Sequence, residues 1–319
     1  MGKFILKKCL MIIPMLFIIS VLVFFAIRMT KADPVSWLIP ADVVVSEENM
    51  EALRARYGLD APLYVQYFRW IGNILRGDFG KSIVGGTSVA TIIARSLPAT
   101  FELAFGALII SSVIGITLGV LSAIHQNGPV DYIGRFIAVL GTSMPQFFFG
   151  IIMIQIFAIK LGWLPIGGRT DPSVVTFWDR AKYLILPTLT MSIAMISTLL
   201  KYSRNSMLEV LNKDYIKTAR MKGISEKRVY ITHALRNALR PVMVIIIFRL
   251  PLLIGGSVVI ESVFSWPGIS TQIVGATTSG DYPVIMVTTL LIAATILVSS
   301  VLLDIITALL DPRVRLGKE

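Results

Sequence analysis

Two histidines, His125 and His233, and one cysteine, Cys9, are the residues of this 319-residue chain with the most chemistry to offer, and their spacing serves none of it. A zinc site needs three or four converging nitrogen or sulfur ligands, which two distant histidines and one cysteine do not furnish. One cysteine also excludes a disulfide framework within the chain, and Lys7 and Lys8 precede it where a lipoprotein signal needs small residues. Intramembrane proteolysis requires a serine with a histidine, or paired aspartates, at membrane depth. Ser257, beside Gly255 and Gly256, has no base in the same stretch. The run "GDFGKS" (Gly77–Ser82) matches the end of a phosphate-binding loop, but that pattern needs glycine at position 75, where Leu75 stands. No cofactor is therefore expected in this chain. Glu102 and Asp304, near the ends of apolar runs, read as capping or interfacial groups rather than as a proton relay.

The charge is concentrated elsewhere. From Lys201 to Arg240 the chain carries ten cations against three anions, Glu209, Asp214 and Glu226. Within it, "DYIKTARMKG" predicts a short helix. Lys213, Lys217 and Arg220 recur at i, i+4 and i+7 on one side, with Tyr215, Thr218, Ala219 and Lys222 around the other. Gly223 is a natural stop, because glycine adopts the left-handed conformation without a Cβ clash. A second helical stretch should run to Arg240, with Pro241 opening the next element. Two functions suit such a segment: a basic helix lying on anionic lipid, or a docking helix for a partner protein, with Ala219 as its small-residue contact.

The elements that position this segment are membrane spans. With 55% hydrophobic and 15% charged residues and a mean hydropathy of +0.77, the chain reads as an all-α integral membrane protein. Six runs reach the roughly 20 apolar residues a span needs: Cys9 to Ile27, Leu97 to Ile124, Ile133 to Ile159, Leu184 to Leu200, Val242 to Phe264 and Val284 to Leu310. The first is too long for the apolar core of a signal peptide and lacks a small-residue exit, so it reads as a retained helix. Cations flanking the spans place both termini and the 201–240 loop in the cytoplasm; the segment from Ser265 to Pro283, with no Lys or Arg, falls outside. The net charge of +11 is thus an orientation signal rather than a nucleic-acid footprint. The expected organisation is a cytoplasmic tail and first span (1–30), a small ordered extracytoplasmic module (31–96), a five-helix core (97–310) containing the basic loop, and a cytoplasmic tail (311–319).

"DYIKTARMKG" followed by "HALRNALRPV" resembles the permease signature of the dipeptide, oligopeptide and nickel branch of bacterial ABC importers. Lys217, Thr218 and Ala219 stand in its first three places and Gly223 at its glycine. "YGLDAPLYVQYFRW", "GDFGKS", "LPATFEL", "SMPQFFFG", "ESVFSWPGIS", "DYPV" and "DPRVR" extend the resemblance over nearly the whole chain, in order. "KADPV" at Lys31 to Val35 is a departure, the family commonly having glycine before the aspartate.

The resemblance implies a type I ABC importer permease fold with six transmembrane helices in a bacterial plasma membrane, the chain being the first of two paired permeases. It implies a homologous second permease, an extracytoplasmic binding protein and two ABC ATPase subunits that bind ATP and Mg. The cargo would be peptides or a similar solute such as nickel chelates. The coupling helix to an ATPase would comprise Asp214, Tyr215, Thr218, Ala219, Lys222 and Gly223. A standalone channel or secondary carrier is the rival reading.

Helix-weakening residues point to the pore. Gly141, Pro145 and Gly150 in the third run, and Pro251, Gly255 and Gly256 in the fifth, mark segments that line a path or pack closely. Arg249 lies about a third of the way into the fifth run, where an arginine costs roughly 2.5–3.5 kcal/mol on insertion scales. It should face the passing solute, a water file, or a salt bridge to the second permease.

Overall fold

A computed structural model describes residues 2–29, 46–56, 59–169, 176–255 and 258–310. The C-terminal tail at 311–319, most of the first part of the 31–96 module, and Gly256 lie outside the described residues. The described residues are almost wholly helical, as a chain without water to satisfy its backbone must be. The helices are α1 (Gly2–Met29), α2 (Glu47–Arg56), α3 (Leu63–Leu75), α4 (Val89–Ile124), α5 (Pro129–Ser143), α6 (Gln146–Met153), α7 (Phe177–Leu211), α8 (Asp214–Met221), α9 (Glu226–Arg228), α10 (Arg236–Gly255), α11 (Val258–Val263), α12 (Ile269–Ser279) and α13 (Tyr282–Leu310). Wide π-helical turns continue α6 over Ile154–Lys160 and join α9 to α10 over Val229–Leu235.

Five of these helical stretches are long and apolar enough to cross a bilayer, and α5 with α6 makes a sixth if the bent pair is one span. Three expectations are corrected. The third run is not one straight span: it breaks at Met144 and Pro145, and its halves diverge by 110°. The proline ring fixes φ and holds the preceding residue extended (Met144 ψ 129°), so the helix stops and restarts. The fourth run is the core of α7, which is 35 residues long and carries the chain from Phe177 through Lys201 and Arg204. The loop beginning at Lys201 is thus helix for its first eleven residues. The fifth begins earlier than expected, and Pro241 sits inside α10 rather than at its start. Its missing N–H costs the Asn237 carbonyl one helical bond, which the continuous helix tolerates.

The chain divides into two compact units, Met1–Ala99 with Pro267–Val301 and Thr100–Trp266 with Leu302–Glu319. In the first, α3 lies on α1 through aromatic contacts: Phe24 and Tyr67 meet edge to face at 5.5 Å, and the Ser20 hydroxyl shares a 2.8 Å hydrogen bond with Tyr67. The "GDFGKS" loop is closed by Ser82 N–H to Thr87 O (2.8 Å) and pinned to α13's entry, because Asp281 accepts from the Ser82 hydroxyl and from the Ile83 N–H. It is a structural clasp.

In the second unit α7 is the central mast. Hydroxyls on it donate across to neighbouring backbones: Ser192 to Ala107 O in α4 (3.2 Å), Ser197 to Ile137 O in α5 (3.1 Å), Ser206 to Ala238 O in α10 (2.8 Å). Glycines on the facing helices let the backbones approach. A Cβ at Gly119 in α4 would stand 2.6 Å from Leu200 O and 2.7 Å from Ser203 Cβ; one at Gly115 would stand 2.8 Å from Leu199 Cβ. Gly141 and Gly150, singled out as possible path residues, do the same work: Gly141 abuts Ser197 and Ile193, and Gly150 lies against Thr190 and Phe264. With apolar lipid as the alternative surroundings, such close packing and interhelical hydrogen bonds are what hold helices together.

Candidate functional site

The predicted short helix exists. It is α8, and its ends are set by local chemistry. Asp214 places a negative charge in the first turn, where the helix dipole favours it. Gly223 is left-handed (φ +74°); its N–H donates to Arg220 O at 2.9 Å, and the Ile224 N–H reaches back to Ala219 O at 3.3 Å. This is a complete Schellman stop, and Ile224 supplies the apolar contact that accompanies one.

The helix is seated on the chain's own core. Ile216 and Ala219, three residues apart, enter a cluster with Ala123, Met207, Val229, Ala234 and Ala238. Ala219 is 7% exposed, so the small-residue partner contact expected there is instead the contact that seats α8. The opposite side is open. The Asp214 side chain is 95% exposed and Met221 80%; Tyr215, Thr218 and Lys222 are also exposed. Tyr215 is not free to swing, because its hydroxyl accepts from Asn237 Nδ2 at 3.1 Å.

The cationic face expected from the spacing is neutralised pair by pair. Lys213 meets Glu209 at 3.0 Å, Lys217 meets Asp214 at 2.9 Å, and Arg220 grips Glu226 at 2.8 and 3.2 Å. Hydrogen bonding from Lys217 holds the Asp214 carboxyl below the usual carboxylate range, and Glu209 holds the Lys213 ammonium above its ordinary value. All three anions of the segment are consumed in this way. Among the described residues Lys222, Lys227, Arg228, Arg236 and Arg240 carry no ion pair, so the positive potential lies beyond α8's paired face.

The expected path residues are not gathered into one cluster by any described hydrogen bond or ion pair. Pro145 is exposed at the α5–α6 bend, Gly255 ends α10 half-buried, and Gly256 lies outside the described residues. Arg249 is half-buried in α10 with no hydrogen bond or ion pair among the described residues. Among those residues, no group of three His, Cys, Asp or Glu could hold a metal ion.

Three buried polar contacts were not foreseen. Thr100 of "LPATFEL" donates to Glu261 of "ESVFSWPGIS" at 2.8 Å, both fully buried. Asp281 of "DYPV" holds Ser82 of "GDFGKS". Asp131, at the start of α5, is buried against Arg204 of α7. A charged group inside an apolar run is the signal that could have found Glu261; Asp131 lies between two runs, in "HQNGPVDY", where a carboxylate carries no such signal.

Residues 115–316 match the model of the binding-protein-dependent transport system inner membrane component, and residues 1–104 match that of its N-terminal companion. The chain belongs to this family. It is a multi-pass inner-membrane permease subunit. Similar chains include the oligopeptide transport system permease protein AppB of Bacillus subtilis, 41% identical over 98% of this chain and 99% of the relative. A putative peptide permease protein of Brucella suis is 38% identical over 99% of each chain. The glutathione transport system permease protein GsiC of Escherichia coli is 36% identical, again over 99% of each. Among solved structures, a chain of the inward-facing MetNI methionine ABC transporter superposes with a TM-score of 0.54 at 17% identity, covering 70% of this chain and 97% of that one. The permease therefore has the type I ABC importer fold.

Proposed function

We propose that this permease forms half of the translocation pathway of an ATP-driven importer for di- or oligopeptides or a similar small solute, and that α8 is the helix through which a separate ATPase subunit drives it. The observation that carries the reading is the two-sided construction of α8: Ile216 and Ala219 fix it to the chain's core, while Asp214, Tyr215, Thr218, Met221 and Lys222 face outward. A rigidly seated helix with an open face can receive a push and pass it on. A lipid anchor would instead turn its apolar side outward.

The rest of the assembly follows from that role: a homologous second permease, two ATPase subunits that bind ATP and Mg, and an extracytoplasmic protein that delivers the solute. By the positive-inside rule the basic segment favours a cytoplasmic α8, and the cations flanking the first and last spans favour the same side for both termini. The peptide and glutathione permeases among the relatives favour a peptide-like cargo. Arg249 is assigned to the pathway, where its guanidinium offers a bidentate partner to a solute carboxylate. No charge among the described residues neutralises it, so a water-filled or solute-filled surrounding suits it best.

The test is purification of the tagged chain from its native membrane in mild detergent, with mass spectrometry of what accompanies it. Recovery of a second permease and ATPase subunits, lost on Thr218→Trp, is expected. Recovery of the chain alone, still moving solute into liposomes without ATP, would make it a channel or carrier.

A further inference from the structure

Resting on that reading of α8, we infer that Asp131 and Arg204 form the latch that passes α8's movement into the α5–α6 hairpin, and that they are positioning residues for coupling hydrolysis to transport.

The geometry is specific. Asp131 is 0% exposed. Arg204 binds it with both arms of its fork: Nε lies 2.6 Å from Oδ1 and Nη2 2.9 Å from Oδ2. Oδ2 also accepts from Arg135 Nη2 at 2.8 Å and from the Asn127 backbone N–H at 2.9 Å. One carboxylate thus ties together three pieces of chain: the α4–α5 turn, where Asn127 is left-handed (φ +60°), the first turn of α5, and α7. The backbone is tight at the same level, because a Cβ on Gly119 of α4 would stand 3.1 Å from the Arg204 nitrogen. A two-armed guanidinium–carboxylate contact fixes orientation as well as distance, which one hydrogen bond does not. Burial of the carboxylate reduces its screening by salt.

Its place in the fold gives it a use. Three residues beyond Arg204, Met207 is buried in the cluster that seats α8 through Ile216 and Ala219. A push on α8 therefore arrives in α7 within one turn of Arg204. On the other side of the latch, α5 runs about 18 Å, at 1.5 Å per residue, from Asp131 to the bend at Met144 and Pro145. There the chain turns by 110° into α6. Ser197 and Lys201 of α7 add contacts to Ile137 O and Thr142 Oγ1, so α5 is carried along its length, but the buried charge contact lies at the end nearest α8. A fold held by packing alone has little need to bury a carboxylate here, since well-packed apolar residues often serve as well or better.

The experiment uses the whole importer, purified by a tag on this permease chain and reconstituted in liposomes, and reads solute molecules taken up per ATP hydrolysed. Asp131→Asn keeps the shape and an acceptor but removes the charge. Its expected effect is at least a tenfold fall in uptake per ATP, with ATPase subunits still bound and hydrolysis continuing. Arg204→Lys, which keeps charge but loses the fork, should fall in between. A D131N/R204M double variant removes both charges of the buried pair, leaves only the half-exposed Arg135 without its carboxylate, and decides the matter if the single variant fails to assemble. An unchanged ratio in either assembled variant, or a smaller amount of complex working at the original ratio, overturns the latch and leaves a merely structural contact. An unaltered complex that contains no ATPase overturns the importer reading itself.

Discussion

The Thr100 hydroxyl donates to Glu261 across 161 positions of sequence at 2.8 Å, with both side chains fully buried. It joins two sequence motifs, one in α4 and one in α11. Thr100→Val should lower the stability of the detergent-solubilised chain by about 0.6–1.7 kcal/mol, the range of interhelical hydrogen bonds in membranes. Thr100→Ser, which keeps the donor, should lose less. Unfolding midpoints of both variants measure this; equal midpoints for valine and serine would remove the hydrogen bond from the account.

The two faces of α8 predict opposite failures. Thr218→Trp enlarges the open face and should leave the melting temperature intact while abolishing ATPase capture. Ala219→Trp enlarges the buried face and should cost about 1–3 kcal/mol of stability through overpacking. If Ala219→Trp melts normally and loses the ATPase, the assignment of faces is inverted.

Glycine positions separate in the same manner. Gly119→Val brings a side chain against the Leu200 carbonyl, 2.6 Å from the new Cβ, and backbone cannot yield cheaply. A loss of about 1–3 kcal/mol or failure to accumulate in the membrane is expected. Gly72 in α3 has nothing within 4 Å of a new Cβ. Gly72→Ala should be neutral or stabilising by about 0.4–1 kcal/mol. Accumulation and melting of the two variants, side by side, check the contrast.

Arg249→Gln should reduce uptake of carboxylate-bearing peptides at least tenfold without changing the subunits recovered. Unchanged rate and selectivity for every transported solute would move Arg249 out of the pathway and into a contact with the second permease.

Asp214 supplies a pH marker. Its folded pKa is depressed by Lys217, so whatever the pair contributes is present above the ordinary carboxylate value and lost as pH falls through the depressed one. Both groups are largely exposed, so stability should barely move. The carboxyl's own titration, followed by carbon NMR of labelled protein, should shift upward in Lys217→Gln. An identical midpoint would mean that the pair does not persist in solution.

Much of this was legible because apolar run length and cation placement are local properties. The start and stop of α8 lie in Asp214 and Gly223 themselves. What escaped needed a partner outside the element being read. The spacing of Lys213, Lys217 and Arg220 gave one cationic face, but Glu209 and Glu226 come from outside the helix to cancel it. Ala219 looked like a contact for another protein because a small residue on a helix does not say which side it meets. Gly141 and Gly150 looked like weak points, and only Ser197, Ile193, Thr190 and Phe264 reveal them as close-packing sites. Pro145 stopped its helix while Pro241 did not. A proline states what bond is lost, and the surroundings decide whether the helix survives.

The wide turn at Val229–Leu235 carries one further implication, for counting. A π-helical turn holds an extra residue relative to the α-helix around it, so every side chain after it points about 100° away from where regular winding would send it. Ala238 enters the core cluster that seats α8 in that offset register, and Ala234 enters it from within the turn. Deleting one residue of the turn would let it rewind as regular α-helix with Ala238, Pro241 and Arg249 still on their present faces, whereas a substitution that closed the turn at its present length would rotate all three together. The turn thus stores one residue of slack between α8 and Arg249: the helix beyond it keeps its facing if that residue is lost, and loses it if the turn closes with the residue still there.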